Sequence, residues 1–399
     1  MLDQVDAKPT LFLNPGGDRR LSQGHPWAYA NEIRMDAAAK ALEPGTVVRL
    51  VRVDGKPFGI GTFNPHALIA FRLLDRDPAT VVDRAFLADR LRHALALRDR
   101  LYPRPWYRLV HAEADGLAGL VVDRFDDVAV VQANTAGMDR LLASVIEALD
   151  DVIRPVAIVI RNDSRARALE GLQTGVTVAK GSVEAPVSVI EDDLSFFADV
   201  VAGQKTGWFF DQRRNRAFVA PLAAGGPVLD LFCHTGGFAV RAAACGASAV
   251  VGIDTSEPAL DLARKAAAAN GVETRCTFRR VEVFQALEGL VGEGARFRLV
   301  VADPPAFVKS RKEVAAGLRG YRKLARLAAR VVEPGGFLFL ASCSHNVELG
   351  AFTAECAAGL TKAGRTGRIV RAAGAGPDHP IHPHLPETAY LKTLVLQLD

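Results

Sequence analysis

The chain has 399 residues, of which 49% are hydrophobic and 24% charged, and its formal net charge is +4. This length predicts two or three domains, and the mild positive charge permits a nucleic-acid partner without requiring one. No run of about 18 apolar residues and no signal-peptide core in the opening MLDQVDAKPT are present, so we expect a cytoplasmic protein with no membrane association.

Residues 1–76 have an all-β pattern. The segments TVVRLVRV and KPFGIGTF flank Asp54-Gly55, which is a two-residue hairpin signal, and ALIAFRLL follows as a third strand. Residues 77–195 combine one long helical repeat, VVDRAFLADRLRHALALRDRLY, with apolar strands such as VAVVQAN and VAIVI. The sequence therefore predicts a small barrel or sandwich followed by an α+β domain.

Residues 196–399 alternate between short apolar strands and helices. Examples are PVLDLF before FAVRAAAC, and AVVGID before EPALDLARKAAAANG. This rhythm predicts an α/β domain with a parallel sheet covered on both faces. In such sheets ligands bind beyond the carboxyl ends of the strands, and the candidate motifs all fall at such ends.

The first of these strand ends carries two glycines, Gly236 and Gly237, in VLDLFCHTGGF. Glycines let the backbone approach a ligand, and the following helix start favours an anionic group, although such a turn also simply ends a strand. The next strand ends at Asp254, a position suited to hold a ribose diol. The alternative is that Asp254 only caps the helix that begins near Ser256.

The glycine loop narrows the choice of cofactor. It is neither G-x-G-x-x-G nor a triphosphate-binding G-K-[ST] loop, so dinucleotides and ATP are disfavoured. Its D-x-F-x-x-x-G-G-F form resembles the S-adenosylmethionine loop of class I methyltransferases. The cofactor-binding residues implied by that resemblance are Asp230, Phe232 and Gly236 on the methionine side, Asp254 and Thr255 near the ribose, and Glu282 in place of an adenine-binding aspartate.

The fourth strand ends in VVADPPAF, in which two prolines stiffen the backbone after Asp303. Such a pair is often only a turn, but here it follows a cofactor loop. We therefore expect Asp303 to face both the cofactor and the edge of a nucleobase in the cleft. If that base is cytosine, Asp303 would bond to or protonate its N3.

The next strand, LFLAS, leads into Cys343. Carbon 5 of cytosine is a weak nucleophile, but a thiolate that adds to carbon 6 makes an enamine that can attack a sulfonium methyl group. The sequence therefore predicts Cys343 as a covalent catalyst. The other cysteines, which are Cys233, Cys245, Cys276 and Cys356, are expected to be inert thiols, and no C-x-x-C pair indicates a disulfide framework or a metal site.

A base must also remove the carbon-5 proton. Two-cysteine RNA methyltransferases carry a second cysteine where Ala306 stands here. His345, Ser344 and a water molecule are the candidates, and the sequence does not choose among them.

The segment that follows the prolines is strongly basic. Arg319, Arg322, Lys323 and Arg326 share one helical stripe, with no acidic residue interleaved. A solvated face is the usual explanation, but the position beside a base-binding loop favours phosphate contact. The predicted RNA-binding residues are Lys309, Arg311, Lys312, Arg319, Arg322, Lys323 and Arg326.

Segments along nearly the whole chain resemble one family. They are GHPWAYANEI, YRLVHAEADGLAGLVVDRF, GQKTGWFFDQRRNR, DPPAF, SCSHNV and DHPIHPHLPETAYLKTLVL. In this order they resemble the large-subunit (23S) ribosomal RNA cytosine-C5 methyltransferase I family. The resemblance implies a PUA RNA-binding domain at 1–76, a central α+β domain at 77–195 and a Rossmann-like methyltransferase domain at 196–399. It also implies a homodimer, cofactor contacts from Gln212 and Arg216, and naked or partly assembled 23S ribosomal RNA as substrate.

Two other functions stay open. A related branch methylates guanine N7, which needs no covalent catalyst, and it lacks the strand-end cysteine. The chain would alternatively be an RNA-binding assembly factor that has lost activity, although Asp254, Asp303 and Cys343 argue against this.

Overall fold

The structure is a computed structural model that describes residues 8–399. Residues 1–7, which include most of the segment tested for a signal peptide, lie outside the described part. The chain forms two compact units. The first contains residues up to Ala185, Val200–Gly207 and Pro377–Thr388, and the second contains Pro186–Asp199, Trp208–Gly376 and Ala389–Asp399.

The first unit begins with a five-stranded sheet in the order β1-β3-β4-β5-β2. Its strands are β1 (Thr10–Phe12), β2 (Trp27–Tyr29), β3 (Thr46–Val51), β4 (Pro57–Phe63) and β5 (Ile69–Asp75), and its short helices are α1 (Arg19–Ser22) and α2 (Ala37–Lys40). Strands β3 and β4 pair antiparallel across the predicted turn, where Gly55 adopts a positive φ of 80°. The expected hairpin is therefore confirmed, but residues 52–56 join its strands, so the turn is longer than the predicted two residues.

The rest of the first unit contains a second five-stranded sheet, in the order β10-β9-β8-β7-β6. Its helices are α3 (Arg84–Leu101), α4 (Ala136–Arg140), α5 (Leu142–Ile153) and α6 (Ala166–Leu169), and its strands are β6 (Trp106–His111), β7 (Leu120–Phe125), β8 (Val128–Ala133), β9 (Ala157–Asn162) and β10 (Gly175–Lys180). Buried Leu87 and Leu91 of α3 pack in one core with Val145 and Leu149 of α5. The expected mixture of helices and strands is present.

The second unit has a two-stranded hairpin and a seven-stranded sheet in the order β15-β14-β13-β16-β17-β19-β18. Its strands are β11 (Val187–Glu191), β12 (Leu194–Ala198), β13 (Pro227–Leu231), β14 (Ala249–Asp254), β15 (Cys276–Arg280), β16 (Phe297–Ala302), β17 (Val332–Ser342), β18 (Gly367–Ala373) and β19 (Lys392–Leu398). Its helices are α7 (Arg213–Val219), α8 (Gly237–Ala244), α9 (Glu257–Ala269), α10 (Val283–Gly292), α11 (Val314–Arg330) and α12 (Leu349–Lys362).

Parallel pairing joins β15, β14, β13, β16 and β17, while β19 and β18 add antiparallel strands at one side. Fully buried Leu231, Val300 and Leu338 on three neighbouring parallel strands share one apolar core with α10, α11 and α12. The strand order reverses at β13, which is where open α/β sheets bind ligands. The predicted α/β class is confirmed, and the carboxyl ends of β13, β14, β16 and β17 lie at one edge.

The boundary between the compact units differs from the division expected at residue 196. The β11–β12 hairpin contacts α9 and its end, since Asn270 accepts a hydrogen bond from the Ser195 amide and donates one to the Ser195 carbonyl. Residues 186–199 therefore cluster with the seven-stranded sheet. No helix within residues 8–399 is long and apolar enough to cross a bilayer.

Candidate active site

The turn after β13 has a constrained backbone. Phe232, His234 and Gly236 all have positive φ values, of 61°, 49° and 80°. Such values are uncommon outside glycine and mark a turn held by its surroundings. Gly236 caps α8, and a Cβ atom there would lie only 2.9 Å from that of Ala263 in α9. The glycine is therefore needed for close packing of the loop on that helix.

Asp230 lies beneath this turn. Its side chain accepts a 2.9 Å hydrogen bond from the Ala239 amide in the first turn of α8, and the residue is 1% exposed. Burial, with further contributions from the Asp303 and Asp254 carboxylates, raises the pKa of Asp230 well above its usual range. The carboxyl groups of Asp230, Asp254 and Asp303 therefore lie close together, and that of Asp230 holds the start of α8.

Asp254 fixes the turn from the second strand. Its two carboxylate oxygens accept 2.9 Å bonds from the amides of His234 and Ser256. The cap of α9 is Ser256 itself, so the alternative that Asp254 serves as this cap is wrong. Because a carboxylate has about four acceptor positions, Asp254 keeps capacity for the two hydroxyls of a ribose.

The third strand end differs from the expected adenine contact. Glu282 is exposed and caps α10, with Oε2 accepting a 2.8 Å bond from the Gln285 amide. Thr255 is also exposed, while Phe232 is half-buried. Two half-buried aromatic rings that the sequence analysis did not consider, Phe284 and Phe307, lie near this end with centroids 6.2 Å apart.

Asp303 directly follows β16 and contacts Gln212. The Gln212 side-chain amide donates a 2.9 Å bond to Asp303, and its own oxygen accepts a 2.7 Å bond from Asn215. Gln212 is 2% exposed, so this amide is held in one orientation. The structure thus brings together two residues predicted from separate segments.

Arg216 lies behind the glycine turn. It donates to both carboxylate oxygens of Glu191, at 2.7 and 2.5 Å, and its guanidinium stacks over Trp208. Burial opposes ionisation of Glu191, but Arg216, with Arg213 and Arg241, lowers its pKa overall. Arg216 is 3% exposed and its charge is engaged by Glu191, so this geometry makes it a support for the turn.

Cys343 follows β17 and is half-buried, with its sulfur 4.0 Å from the Pro304 carbonyl oxygen. The thiol therefore lies next to the segment that carries Asp303. Burial raises the pKa of the thiols of Cys233 and Cys356, and raises that of Cys276 to about 11. Among residues 8–399, all five cysteines are free thiols and no group of His, Cys, Asp or Glu side chains is arranged to hold a metal.

A buried network of hydroxyls supports the Cys343 turn. The Tyr321 hydroxyl lies 2.8 Å from both Ser342 and Ser344, and the Ser344 hydroxyl also accepts a 3.2 Å bond from the Val308 amide. Ser344 is 0% exposed. Its hydroxyl is thus held inside the protein, whereas His345 is exposed and stacks on Tyr390 with centroids 5.4 Å apart.

The predicted basic stripe on α11 is partly neutralised. Arg322 forms a two-bond ion pair with Glu355 of α12, and Lys323 lies 3.1 Å from Glu288 of α10. The expectation of a stripe without balancing acids is therefore wrong for these two residues, because the acids come from neighbouring helices. The remaining predicted RNA-binding residues are exposed at Lys309, Arg311, Lys312 and Arg319 and half-buried at Arg326.

Three residues that support the site were not predicted from the sequence. They are Glu191, which pairs with Arg216, Tyr321, and Lys392, whose ammonium group donates to the Ser344 carbonyl. Glu191 precedes the expected domain boundary, and Tyr321 lies within the basic helix. The sequence offers a signal only for Lys392. This lysine begins the apolar strand KTLVLQL, and lysine is seldom buried.

Two parts of the chain match known protein families. A family model for S-adenosylmethionine-dependent methyltransferases matches residues 175–381, and a PUA-like domain model matches residues 11–76. A candidate methyltransferase from Streptococcus mutans has a TM-score of 0.81 at 18% identity, covering 98% of this chain and 100% of that one. A candidate methyltransferase complexed with S-adenosylhomocysteine has a TM-score of 0.83, with the same identity and coverage. This structural likeness supports the fold.

The fold, the loop and these matches define an S-adenosylmethionine-dependent methyltransferase with an N-terminal PUA-like domain. Ribosomal RNA large subunit methyltransferase I of Shewanella denitrificans is 34% identical over 393 residues, covering 97% of this chain and 99% of that protein. The protein of the same name from Aeromonas hydrophila is 35% identical over 394 residues, with the same coverage. The chain belongs to the ribosomal RNA large subunit methyltransferase I family, and the predicted cofactor is confirmed.

Proposed function

We propose that this protein methylates large-subunit ribosomal RNA, and that its product is 5-methylcytosine in 23S ribosomal RNA. The name of the relatives, ribosomal RNA large subunit methyltransferase I, supports large-subunit ribosomal RNA as the substrate. The observation that carries the choice of base is the half-buried Cys343 thiol beside Pro304, at the same sheet edge as Asp303. Methylation of cytosine at C5 needs a covalent nucleophile, and Cys343 would supply it at this place.

The cofactor-binding role is assigned first to Asp254, whose carboxylate keeps acceptor capacity beside a glycine turn. Phe232, Gly236 and Thr255 complete that proposed surface, and Glu282 lies at its far end. Asp230 and Arg216 take part by holding the turn. Bound S-adenosylmethionine supplies an electrophilic methyl group.

The chemical role of Cys343 is to add its thiolate to carbon 6 of the base, which moves the ring electrons to carbon 5. After carbon 5 is methylated, a base removes its proton, the carbon–sulfur bond breaks and the thiolate is restored. Asp303 bonds to or protonates cytosine N3 and so makes carbon 6 more electrophilic. The bond from Gln212 orients that carboxylate.

The proton acceptor is narrowed to His345 or a water molecule. The Ser344 hydroxyl, the third candidate, is 0% exposed and bonded to Tyr321 and the Val308 amide. His345 is exposed on the same turn as Cys343. We therefore favour His345, and expect His345→Ala to accumulate the covalent RNA adduct.

The residues proposed to contact the RNA backbone follow the Asp303 segment along the chain. They are Lys309, Arg311, Lys312, Arg319 and Arg326. Arg322 and Lys323 take a lesser part because acids engage them. The target base must be unpaired or flipped, so naked or partly assembled RNA is the proposed substrate.

The organisation of the chain is part of this proposal. We assign a PUA domain to 1–76, a central α+β domain to 77–195 and the methyltransferase domain to 196–399. A cytoplasmic location and a homodimer are proposed with it, and a sedimentation experiment that finds a monomer at micromolar concentration would contradict the dimer.

The decisive experiment is nucleoside mass spectrometry of unmodified 23S ribosomal RNA after incubation with labelled S-adenosylmethionine. We expect labelled 5-methylcytosine from the wild type and from Cys245→Ala, which alters an exposed cysteine. Cys343→Ala should lose essentially all product, because the uncatalysed ring is too weak a nucleophile.

Two outcomes would replace the proposal. Labelled 7-methylguanosine from both the wild type and Cys343→Ala would identify a guanine-N7 methyltransferase in which Cys343 is structural. Calorimetry that detects no S-adenosylmethionine binding would support an inactive RNA-binding assembly factor.

A further inference from the structure

Lys392 is a lysine buried beside the candidate nucleophile. It begins β19, is 8% exposed, and its Cα pairs in register with that of Ser342. Its ammonium group donates a 2.6 Å bond to the Ser344 carbonyl and a 2.7 Å bond to the Tyr390 carbonyl. Burying an ammonium costs free energy, so its placement needs a compensating interaction.

These contacts surround Cys343 on both sides. Residue 342 is the strand partner of Lys392, and residue 344 accepts a hydrogen bond from its ammonium. The lysine thus ties the Cys343 turn to β19 at the two neighbours of the thiol. Carbonyl dipoles offset a full positive charge only in part, which leaves its field to act on a thiolate.

The charged forms of Lys392 and Cys343 stabilise each other. Burial lowers the pKa of Lys392, and the Cys343 thiolate acts in the opposite direction. By reciprocity, the ammonium stabilises the thiolate and favours its formation near neutral pH.

We propose that Lys392 is a positioning residue that holds the Cys343 turn and places a positive charge beside the thiolate. The proposal deepens the cytosine-C5 function and rests on it for its biological purpose. Its physical content, which is the reactivity of one thiol, does not depend on methyl transfer.

The other titratable groups around the turn have different engagements. Tyr321 of α11 bonds to Ser342 and Ser344, and burial raises its pKa, so it is neutral near pH 7. Asp303 at the end of β16 accepts from Gln212, and Tyr390 donates to Asp211. His345 stacks on Tyr390, with ring centroids 5.4 Å apart.

The test is the rate of Cys343 alkylation by iodoacetamide as a function of pH, read by mass spectrometry of the peptide that contains it. In the wild type we expect the midpoint below the ordinary thiol pKa of about 8.5. Lys392→Gln should raise it by about one unit and slow alkylation at pH 7.5 roughly tenfold. Lys392→Arg should keep a low midpoint, and Lys362→Gln, on the exposed end of α12, should match the wild type.

The proposal is overturned by a wild-type midpoint at or above about 8.5, or by an unchanged profile in a folded Lys392→Gln protein. Circular dichroism establishes folding, and the wild-type midpoint decides the matter if the glutamine variant does not fold. A shifted thiol in a wild type that makes no 5-methylcytosine would refute the proposed reaction while leaving the role of Lys392 intact. A wild type that makes 5-methylcytosine but whose thiol has an ordinary midpoint would refute the role of Lys392 while leaving the proposed reaction intact.

Discussion

The two halves of the candidate site are built from different chemistry. Around the ends of β13 and β14, which we call the carboxylate side, Asp230 and Asp254 accept bonds from backbone amides. Around the end of β17, which we call the hydroxyl side, Tyr321 and serine hydroxyls support the turn, and Lys392 supplies a positive charge. One edge of a sheet thus carries a region of carboxyl groups and a region suited to an anion.

This difference fits a division of labour. Carboxylates that accept amide bonds hold a backbone turn and can bind hydroxyl groups or a cationic cofactor. Hydroxyls and an ammonium group stabilise a thiolate, which carboxylates in the same place would destabilise. Changes on each side should therefore affect different steps of the reaction.

Apart from loss of the Cys343 nucleophile itself, the largest expected effect is on the carboxylate side. Asp254→Asn removes the charge from two hydrogen bonds to backbone amides and from the proposed ribose contact. Since a charge-assisted bond contributes about 1.5–3 kcal/mol, we expect S-adenosylmethionine affinity to fall roughly 10- to 100-fold. Isothermal calorimetry measures this directly.

The matched control is Asp261→Asn, on an exposed position of α9 where the carboxylate contacts Arg264. Its affinity for the cofactor should equal that of the wild type. If Asp254→Asn also binds normally, the assignment of the carboxylate side to the cofactor fails.

The hydroxyl side gives the next effect. Tyr321→Phe removes the hydroxyl that lies between Ser342 and Ser344 and leaves those groups short of a partner. Each lost buried bond costs about 1 kcal/mol. Because the turn then positions the thiol less well, we expect methyl transfer to slow by about tenfold with cofactor affinity unchanged.

The control for this change is Tyr107→Phe, which removes a hydroxyl from the first unit. Single-turnover methyl transfer and calorimetry on both variants separate the effects. A Tyr321→Phe protein that loses cofactor binding instead would mean that the two sides are not independent.

The two sides also differ in how far the sequence predicts them. On the carboxylate side the bonded partners are 2, 9 and 20 residues apart, so one strand–turn–helix–strand unit, from β13 to the end of β14, contains the whole arrangement. On the hydroxyl side the partners are 21, 23 and 48 residues apart. The sequence placed Cys343 at a strand end because its own strand is apolar, but Lys392 reaches it only through the pairing of β19.

The same reason explains the error on α11. Helical spacing places the basic residues in one stripe along α11, but spacing within one helix says nothing about the helices packed beside it. Glu288 and Glu355 lie 35 and 33 residues from Lys323 and Arg322 and meet them only in the folded protein. Burial of Arg216 against Glu191 was likewise outside the reach of a local pattern.

The smallest expected effect distinguishes residues along that basic helix. Arg319 is exposed, whereas Arg322 is held by two bonds to Glu355. A cation that contacts a phosphate of single-stranded RNA contributes about 0.7 to the slope of log affinity against log salt concentration. Arg319→Gln should therefore reduce that slope by about 0.7, and Arg322→Gln should leave it nearly unchanged.

The measurement is RNA binding by fluorescence anisotropy over a series of salt concentrations, with both variants beside the wild type. Equal slopes for wild type and Arg319→Gln would contradict phosphate contact at this helix. The exposed cations that precede it, Lys309, Arg311 and Lys312, would then have to carry the backbone contact, because they lie nearer the Asp303 segment along the chain.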